Sequence, residues 1–409
     1  MTVINPSSIT GISSVTSLTT TPIKFYDSSG TETLGDVSVT SINSGPLAGS
    51  RNRIINGDMR IDQRNAGVST TVGNTNVTGS YGGYCLDRWS VQSYSVGSST
   101  GFAFSVIRSG TVPVGFTSSV LLTTTTNKTN LESTDASNFS QPIEGVNFSD
   151  LSWGTSSAKP ITLSFWVRSS LTGTFGGSIR NSAQNPVTRS YPFPYTINSA
   201  NTWEYKTITI PGDTTGTWPT DNTLGVSITF SLGSGSNYSG TANTWLSGNI
   251  YQPTGSVSLV STASATLYIT GVQVEAGTVA TPFERRPFGQ ELALCQRYYE
   301  KSYNVDVAPG TNTSVGSYYA YGTTDQTSKM GCMIPFKQTK RTTPSTITYY
   351  TSSGTSGSWG YDRSAASSTV TIGTGGADGT NSTLAYTASV GAAWTNTVIY
   401  GHWVVSAEL

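Results

Sequence analysis

The sequence predicts an all-β protein: a jelly-roll or β-sandwich body, a short linking helix, a smaller C-terminal β domain and an extended N-terminal region. Three observations predict it. Apolar residues alternate with small polar ones, most clearly where Leu224, Val226, Ile228, Phe230 and Leu232 interleave with Gly225, Ser227, Thr229 and Ser231. That period of two marks a strand with one buried face. Such runs are short and are separated by Gly/Ser/Asn turns, the pattern of a sandwich or jelly roll. Charged residues make up 11% of the 409 residues, well under the roughly 25% of ordinary domains. The 21 Tyr and 9 Trp argue against a disordered polar tract, which goes with few aromatics.

Residues 1–50 come first. Ile4, Ile9, Ile12, Val15 and Leu18 are spaced too irregularly for a helix. Pro22 to Tyr26 runs into the turn Asp27-Ser28-Ser29-Gly30, and Val37 to Ile42 reads as a further strand. This segment has too little apolar content to bury a core alone, so it is expected to dock onto another chain or subunit.

Residues 51–286 form the body. Phe102, Phe104 and Val106 share one face, as do Ile161, Leu163, Phe165 and Val167, and Thr207 to Ile210 forms another strand. Leu267 and Ile269 give way to Val272 and Val274, and Gly271 at the switch predicts a bulge. The linking helix is expected over 287–302. Pro287 and Glu291 suit a helix start, and Phe288, Leu292, Cys295 and Tyr299 fall on one stripe. Leu294 and Tyr298 make a second apolar edge, so the helix could face two neighbours at once, and the first stripe is the candidate oligomer interface.

The C-terminal domain spans 303–409. Met330, Cys332, Ile334 and Phe336 alternate, and strands read at 346–350, 369–372, 383–387 and 397–405. Residues 351–358 and 373–382 are Gly/Ser/Thr-rich loops suited to an exposed tip. No repeat of 20–50 residues recurs, which argues against a solenoid.

The chemistry is sparse. With 22 Lys+Arg against 22 Asp+Glu, there is no positive excess to drive binding of nucleic acid or an anionic membrane. No stretch approaches the ~20 apolar residues of a membrane span. Cys85, Cys295 and Cys332 stand far apart with no metal-ligand spacing; they read as buried free thiols, and no metal or cofactor is implied. His402 is the single histidine, so a Ser-His-Asp or Cys-His arrangement would have to use it. Glycoside hydrolysis needs two carboxylates flanking the bond. Asp213 with Asp221, or Glu132 with Asp135, are candidates in loop-like contexts, where acids are usually turn formers. The expectation is a protein that is not an enzyme.

Three segments carry a resemblance. NRIINGDMRIDQRNAG at 52–67, followed by Asp87-Arg88-Trp89, resembles the opening of many phage virion proteins. LYITGVQVEAGTVATPFERRPFGQELALCQRYYEKS at 267–302 resembles a segment shared by tail-fibre and other virion structural proteins of tailed phages, notably those of cyanobacterial hosts. The closing residues 403–409 resemble the end of their terminal domains. SFWVRSS at 164–170, WEYKTITIP at 203–211 and ITGVQVEAG at 269–277 also resemble a galactose-binding-like jelly roll of the carbohydrate-binding-module kind.

The resemblance implies a homotrimeric fibre on the exterior of a phage particle, assembled in the bacterial cytoplasm. The absence of a basic and apolar leader in MTVINPSSITGISS accords with release by lysis. Residues 1–50 would then attach the fibre to other virion proteins, and 303–409 would face the host. A sugar ring presents C–H faces that stack on aromatic rings. Trp218, Tyr238 and Trp245, among small polar residues, and Trp359 with Tyr361 at the expected tip, are the candidate contacts to a host surface glycan. For each, packing in a core or subunit interface is the rival reading. Rival functions are a capsid-decorating head fibre with no receptor and a polysaccharide depolymerase.

Overall fold

The computed structural model describes residues 25–26, 32–33, 51–73, 79–95, 100–181, 188–322, 331–363, 366–377, 379–387 and 397–409. The chain divides into two units, Met1–Gly49 and Ser50–Leu409. In the first, β1 (Phe25–Tyr26) pairs antiparallel with β2 (Glu32–Thr33), and the turn expected at 27–30 lies outside the described residues. The strand expected at 37–42 lies outside the described residues.

The second unit is built of β-sheets, with one α-helix among the described residues. In chain order the sandwich strands are β3 (Thr70–Gly73), β4 (Ser80–Leu86), β5 (Trp89–Tyr94), β6 (Ala103–Ser109), β7 (Ser119–Thr126) and β8 (Ala136–Glu144). There follow β9 (Ile161–Ser169), β10 (Gly173–Arg180), β11 (Arg189–Ile197), β12 (Glu204–Ile210) and β13 (Leu224–Ser234). The short β14 (Ser239–Gly240), β15 (Leu246–Ser247) and β16 (Gln252–Pro253) precede β17 (Thr266–Ala276). A seven-stranded sheet has the order β15-β11-β10-β13-β8-β5-β4, and a six-stranded sheet the order β12-β9-β17-β7-β6-β3. Every pairing within both is antiparallel.

The two inner faces follow from the alternation. Ile161, Leu163, Phe165 and Val167 are wholly buried against Ile228, Phe230 and Leu232 of the other sheet's central strand. Each such burial stabilises by roughly 1.5–3 kcal/mol. Trp89 lies flat on Phe139 with ring centres 4.6 Å apart. At Gly271 the chain takes φ +62°, and the register of β17 against β9 shifts between Thr270 and Gln273. The expected bulge is there, and it moves the buried positions from Leu267 and Ile269 to Val272 and Val274.

Helix α1 (Phe288–Gln296) is shorter than the expected 287–302. After it, β18 (Tyr299–Lys301) pairs antiparallel with the last strand. Then come β19 (Tyr318–Gly322), β20 (Gly331–Pro335), β21 (Thr346–Tyr350), β22 (Ser358–Arg363), β23 (Ala366–Ala377), β24 (Ser382–Thr387) and β25 (Thr397–Ser406). β25 is the hub, pairing with β18, β19, β21 and β22. A second hydrophobic cluster forms here around Tyr349, Trp359, Ile399, Trp403 and Val405. The expected loop at 373–382 is corrected in part, because β23 continues to Ala377. Met330 lies outside the described residues.

The oligomer stripe is corrected at two positions. Cys295 is wholly buried and Tyr299 is 5% exposed, and Tyr299 is a strand residue whose partner is Ser406. Both are covered by their own chain and cannot meet a second copy. Phe288 is 46% exposed and Leu292 is half-buried, so those two remain at the surface.

The segments that carry the resemblance meet in one buried polar knot. Gln63 donates from its backbone N and its Nε2 to the two carboxylate oxygens of Asp87, each at 2.6 Å. Trp89 Nε1 donates to Asn56 O at 2.9 Å. Arg286 pairs with Glu291 at 3.3 Å and donates to Ile54 O at 3.0 Å. Arg64 and Arg88 both pair with Glu408, Arg64 at 2.6 Å, while Arg88 lies 3.5 Å over the Tyr298 ring. The knot joins the sandwich to the final strand, which gives these residues a structural role.

Candidate functional site

The structure separates the five sequence-predicted sugar contacts. Trp359 sits on β22, wholly buried, and its Nε1 donates to His402 O at 2.9 Å. The expectation of an exposed tip residue is therefore corrected: the indole is core. Tyr361, two residues on along β22, packs half-buried against the same cluster. Trp218 and Trp245 come together with Trp153, edge to face, with ring centres 4.7 to 5.5 Å apart. Their indole N–H groups donate to backbone carbonyls of Lys159, Thr215 and Pro211. Trp153 and Trp218 line a cleft of about 380 Å³ together with Phe148 and the hydroxyl residues Ser149, Ser152, Thr155 and Ser157.

Tyr238 leads to a different place. Its ring meets Tyr94 at 6.2 Å and Tyr251 at 5.2 Å, and the Arg180 guanidinium lies 4.3 Å over Tyr251. Arg180 belongs to a groove of about 560 Å³ on the outer face of the seven-stranded sheet. Alternation builds this groove as it builds the core. Between the inner apolar residues of β5, β8 and β13, the outward Ser90, Gln92, Asn138, Ser140 and Ser227 line it, whereas Thr229 and Ser231 of β13 and Ser178 of β10 are almost wholly buried.

Register sets those residues in rows across the strands. Tyr84 stands opposite Ser90, Ser90 opposite Ser140, Ser140 opposite Thr229, and Thr229 opposite Ser178. Five strands at about 4.8 Å each make a row of roughly 19 Å. A parallel row holds Gln92 opposite Asn138 and Asn138 opposite Ser231. Ser140 Oγ donates to Asn138 Oδ1 at 3.1 Å, and Asn138 Nδ2 donates to Gln92 Oε1 at 3.3 Å. Tyr81 and Tyr84 line one end of the groove and Arg180 lines it too. Towards Tyr251 the floor is roofed, since Ser231 Oγ donates to Gln252 Oε1 at 2.7 Å. Beside it Ser178 is fully buried with no hydrogen-bond partner for its Oγ.

The groove escaped the sequence reading because its residues look like an ordinary solvent face. Hydroxyl and amide groups that both donate and accept suit hydroxyl-rich ligands, and the flanking tyrosines offer ring faces. The signal available was the size of the outward residues: none on β13 between Gly225 and Ser231 is larger than Thr229.

The candidate acids have structural partners. Asp213 is clamped by Arg189 at 2.7 and 2.9 Å, and Asp221 accepts from the backbone N of Thr223 at 2.9 Å. Lys128 lies 3.2 Å from Glu132 and 2.8 Å from Asp135. His402 is wholly buried, stacks on Tyr303 at 3.7 Å and contacts Ser302, Ser317 and the Thr313 carbonyl. Burial holds its pKa below the usual value. The thiols of Cys85 and Cys295 are buried and Cys332 is half-buried; burial pushes Cys85 up to about 12 and Cys332 to about 11. Among the described residues no group of three or more His, Cys, Asp or Glu could hold a metal ion, and no helix is long and apolar enough to cross a membrane.

No protein-family model matches the chain, and no curated protein sequence does. Among solved structures, the enzymatically active domain of tailspike protein 4 from bacteriophage CBA120 is 15% identical with a TM-score of 0.29. That match covers 55% of this chain and 21% of the tailspike's. A family 11 carbohydrate-binding module from Clostridium thermocellum, in complex with a mixed-linked tetrasaccharide, is 13% identical with a TM-score of 0.25, covering 50% of this chain and all of the module. The tandem CBM22 domains of Paenibacillus barcinonensis Xyn10C are 8% identical with a TM-score of 0.25, covering 83% of this chain and 99% of theirs.

Proposed function

We propose that this chain is a noncatalytic, glycan-binding structural protein, and that the outer face of its seven-stranded sheet is the binding groove. The observation that carries the reading is the polar floor of the groove, where Tyr84, Ser90 and Ser140 stand in one cross-strand row and Gln92 and Asn138 in the next. These groove-lining groups offer a sugar chain alternating donors and acceptors on a rigid sheet. Rigid placement matters, because groups already held in position lose little freedom on binding.

Its place, in this reading, is the exterior of a phage particle, as a homotrimeric tail fibre touching host surface glycan. The resemblance of residues 52–67, 87–89, 267–302 and 403–409 to virion proteins supports it. Residues 1–50 would dock the fibre to its neighbours. The groove favours a receptor role over a decorating head fibre. The engagement of Asp213, Asp221, Glu132 and Asp135 in turns and ion pairs speaks against a depolymerase.

The test is a glycan array with the full chain, repeated with the Gln92→Ala/Asn138→Ala double variant. Binding to at least one oligosaccharide, weakened roughly tenfold or more in the variant, is the expected result. An array without any hit, or equal binding by both proteins, would remove the groove as the site.

A further inference from the structure

Resting on the glycan reading of the groove, we infer that its ligand carries an acidic sugar whose carboxylate pairs with Arg180. Arg180 is the single formally charged side chain among the residues lining the groove; the others are Tyr, Ser, Gly, Gln, Asn and apolar residues, among them Leu409, whose backbone carboxyl end lies beside Tyr84 with no ion pair to Arg180. Its Nη1 donates to Asn249 Oδ1 at 3.1 Å, its face rests on Tyr251, and its Nε has no partner.

Among the described residues no carboxylate side chain stands within ion-pair reach of Arg180; Arg108, Arg168, Arg285 and Arg341 share that lack, and Arg180 is the one of them that lines the groove. The segment that follows, residues 182–187, reads Ser-Ala-Gln-Asn-Pro-Val and contains no acid to supply.

A guanidinium held partly out of water without a counter-charge is costly, and a protein that needed only packing there could use a neutral residue. A planar guanidinium matches a carboxylate better than an ammonium does. A uronic acid places such a carboxylate on a ring whose remaining hydroxyls suit the Ser, Asn and Gln rows. Neutral sugars would leave the charge unanswered, so the groove should discriminate by charge as well as by shape.

The experiment titrates the full chain with tetragalacturonate, tetramannuronate and a hyaluronan tetrasaccharide, each beside its carboxyl-reduced neutral counterpart. Expected is binding of at least one acidic member at least roughly tenfold tighter than its neutral partner, weakening as salt is raised. Arg180→Gln should erase that preference and Arg180→Lys should keep part of it, with unfolding midpoints near the parent's confirming that both fold. Neutral members binding as tightly as their acidic partners would overturn the assignment of Arg180 while leaving the groove in place. A preference that survives Arg180→Gln would move the charge recognition elsewhere. Failure of every acidic and neutral member to bind would count against this inference and the groove together.

Discussion

A Cβ added at Gly401 would lie 2.2 Å from Trp359 Cδ1, so the bare glycine is what lets the indole lie against β25. Trp359→Ala should therefore cost roughly 3–5 kcal/mol of stability, read by denaturant unfolding; a variant as stable as the parent would put the indole outside the core. In the sequence Trp359 stands between small residues, which by composition read as loop. In this chain they are also strand residues beside large partners, a pairing visible only when Gly401 is known to lie across from Trp359. A second prediction concerns Asp87. Burial raises its pKa to about 6, although Arg64 and the Gln63 donors pull the other way. A carboxyl that holds its proton more tightly when folded stabilises most below its unfolded pKa of about 4, and that contribution is lost as pH rises through 6. The stability of the parent relative to Asp87→Asn should fall across pH 4 to 6, by an amount on the order of 2 kcal/mol. Urea unfolding of both proteins at a series of pH values would show it, and a flat difference would contradict the raised pKa.

Strands were the legible elements, because a buried face on a strand writes itself into every second residue. Ile161 to Val167, Leu224 to Leu232 and Thr346 to Tyr350 all lie within strands, and the switch at Gly271 marks a real bulge. There the backbone has φ +62° and an added Cβ would meet Phe116 Cζ at 2.7 Å. Gly271→Ala should lower stability by roughly 1–3 kcal/mol through backbone strain and ring displacement, measurable as a drop in the unfolding midpoint; an unchanged midpoint would mean the bulge tolerates a side chain. The helix was less legible. Its apolar stripe runs on through Tyr299, yet the open edge of β25 captures that residue into β18. Spacing could not reveal a competing strand edge over 100 residues away. The groove was hidden for a related reason: each outward residue is unremarkable alone, and only register across β5, β8, β13 and β10 lines them up.

At the scale of the molecule, the two hydrophobic cores are tied by charges that neither core needs on its own. Glu408, one of the last residues of the sequence, answers Arg64 and Arg88 beside the sandwich, and Arg341 donates to the carbonyls of Ala407 and Glu408. Arg88 is 1% exposed and also donates to Pro142 O on β8, so it cannot turn to water if its partner is lost. Glu408→Ala would strand it, at a cost of roughly 3–5 kcal/mol for an uncompensated buried charge. The loss falls on the junction, so its consequence should be uncoupling as well as a lower midpoint. In calorimetry the parent is expected to melt its two cores together, and Glu408→Ala to release the β25-centred core first as a separate transition. A single transition with the parent's midpoint would mean that backbone pairing and apolar contact hold the junction without the ion pairs. If the transitions do separate, the knot built from residues 52–67, 87–89, 267–302 and 403–409 acts as the clamp that keeps the groove's sheet and the last strand in fixed relation.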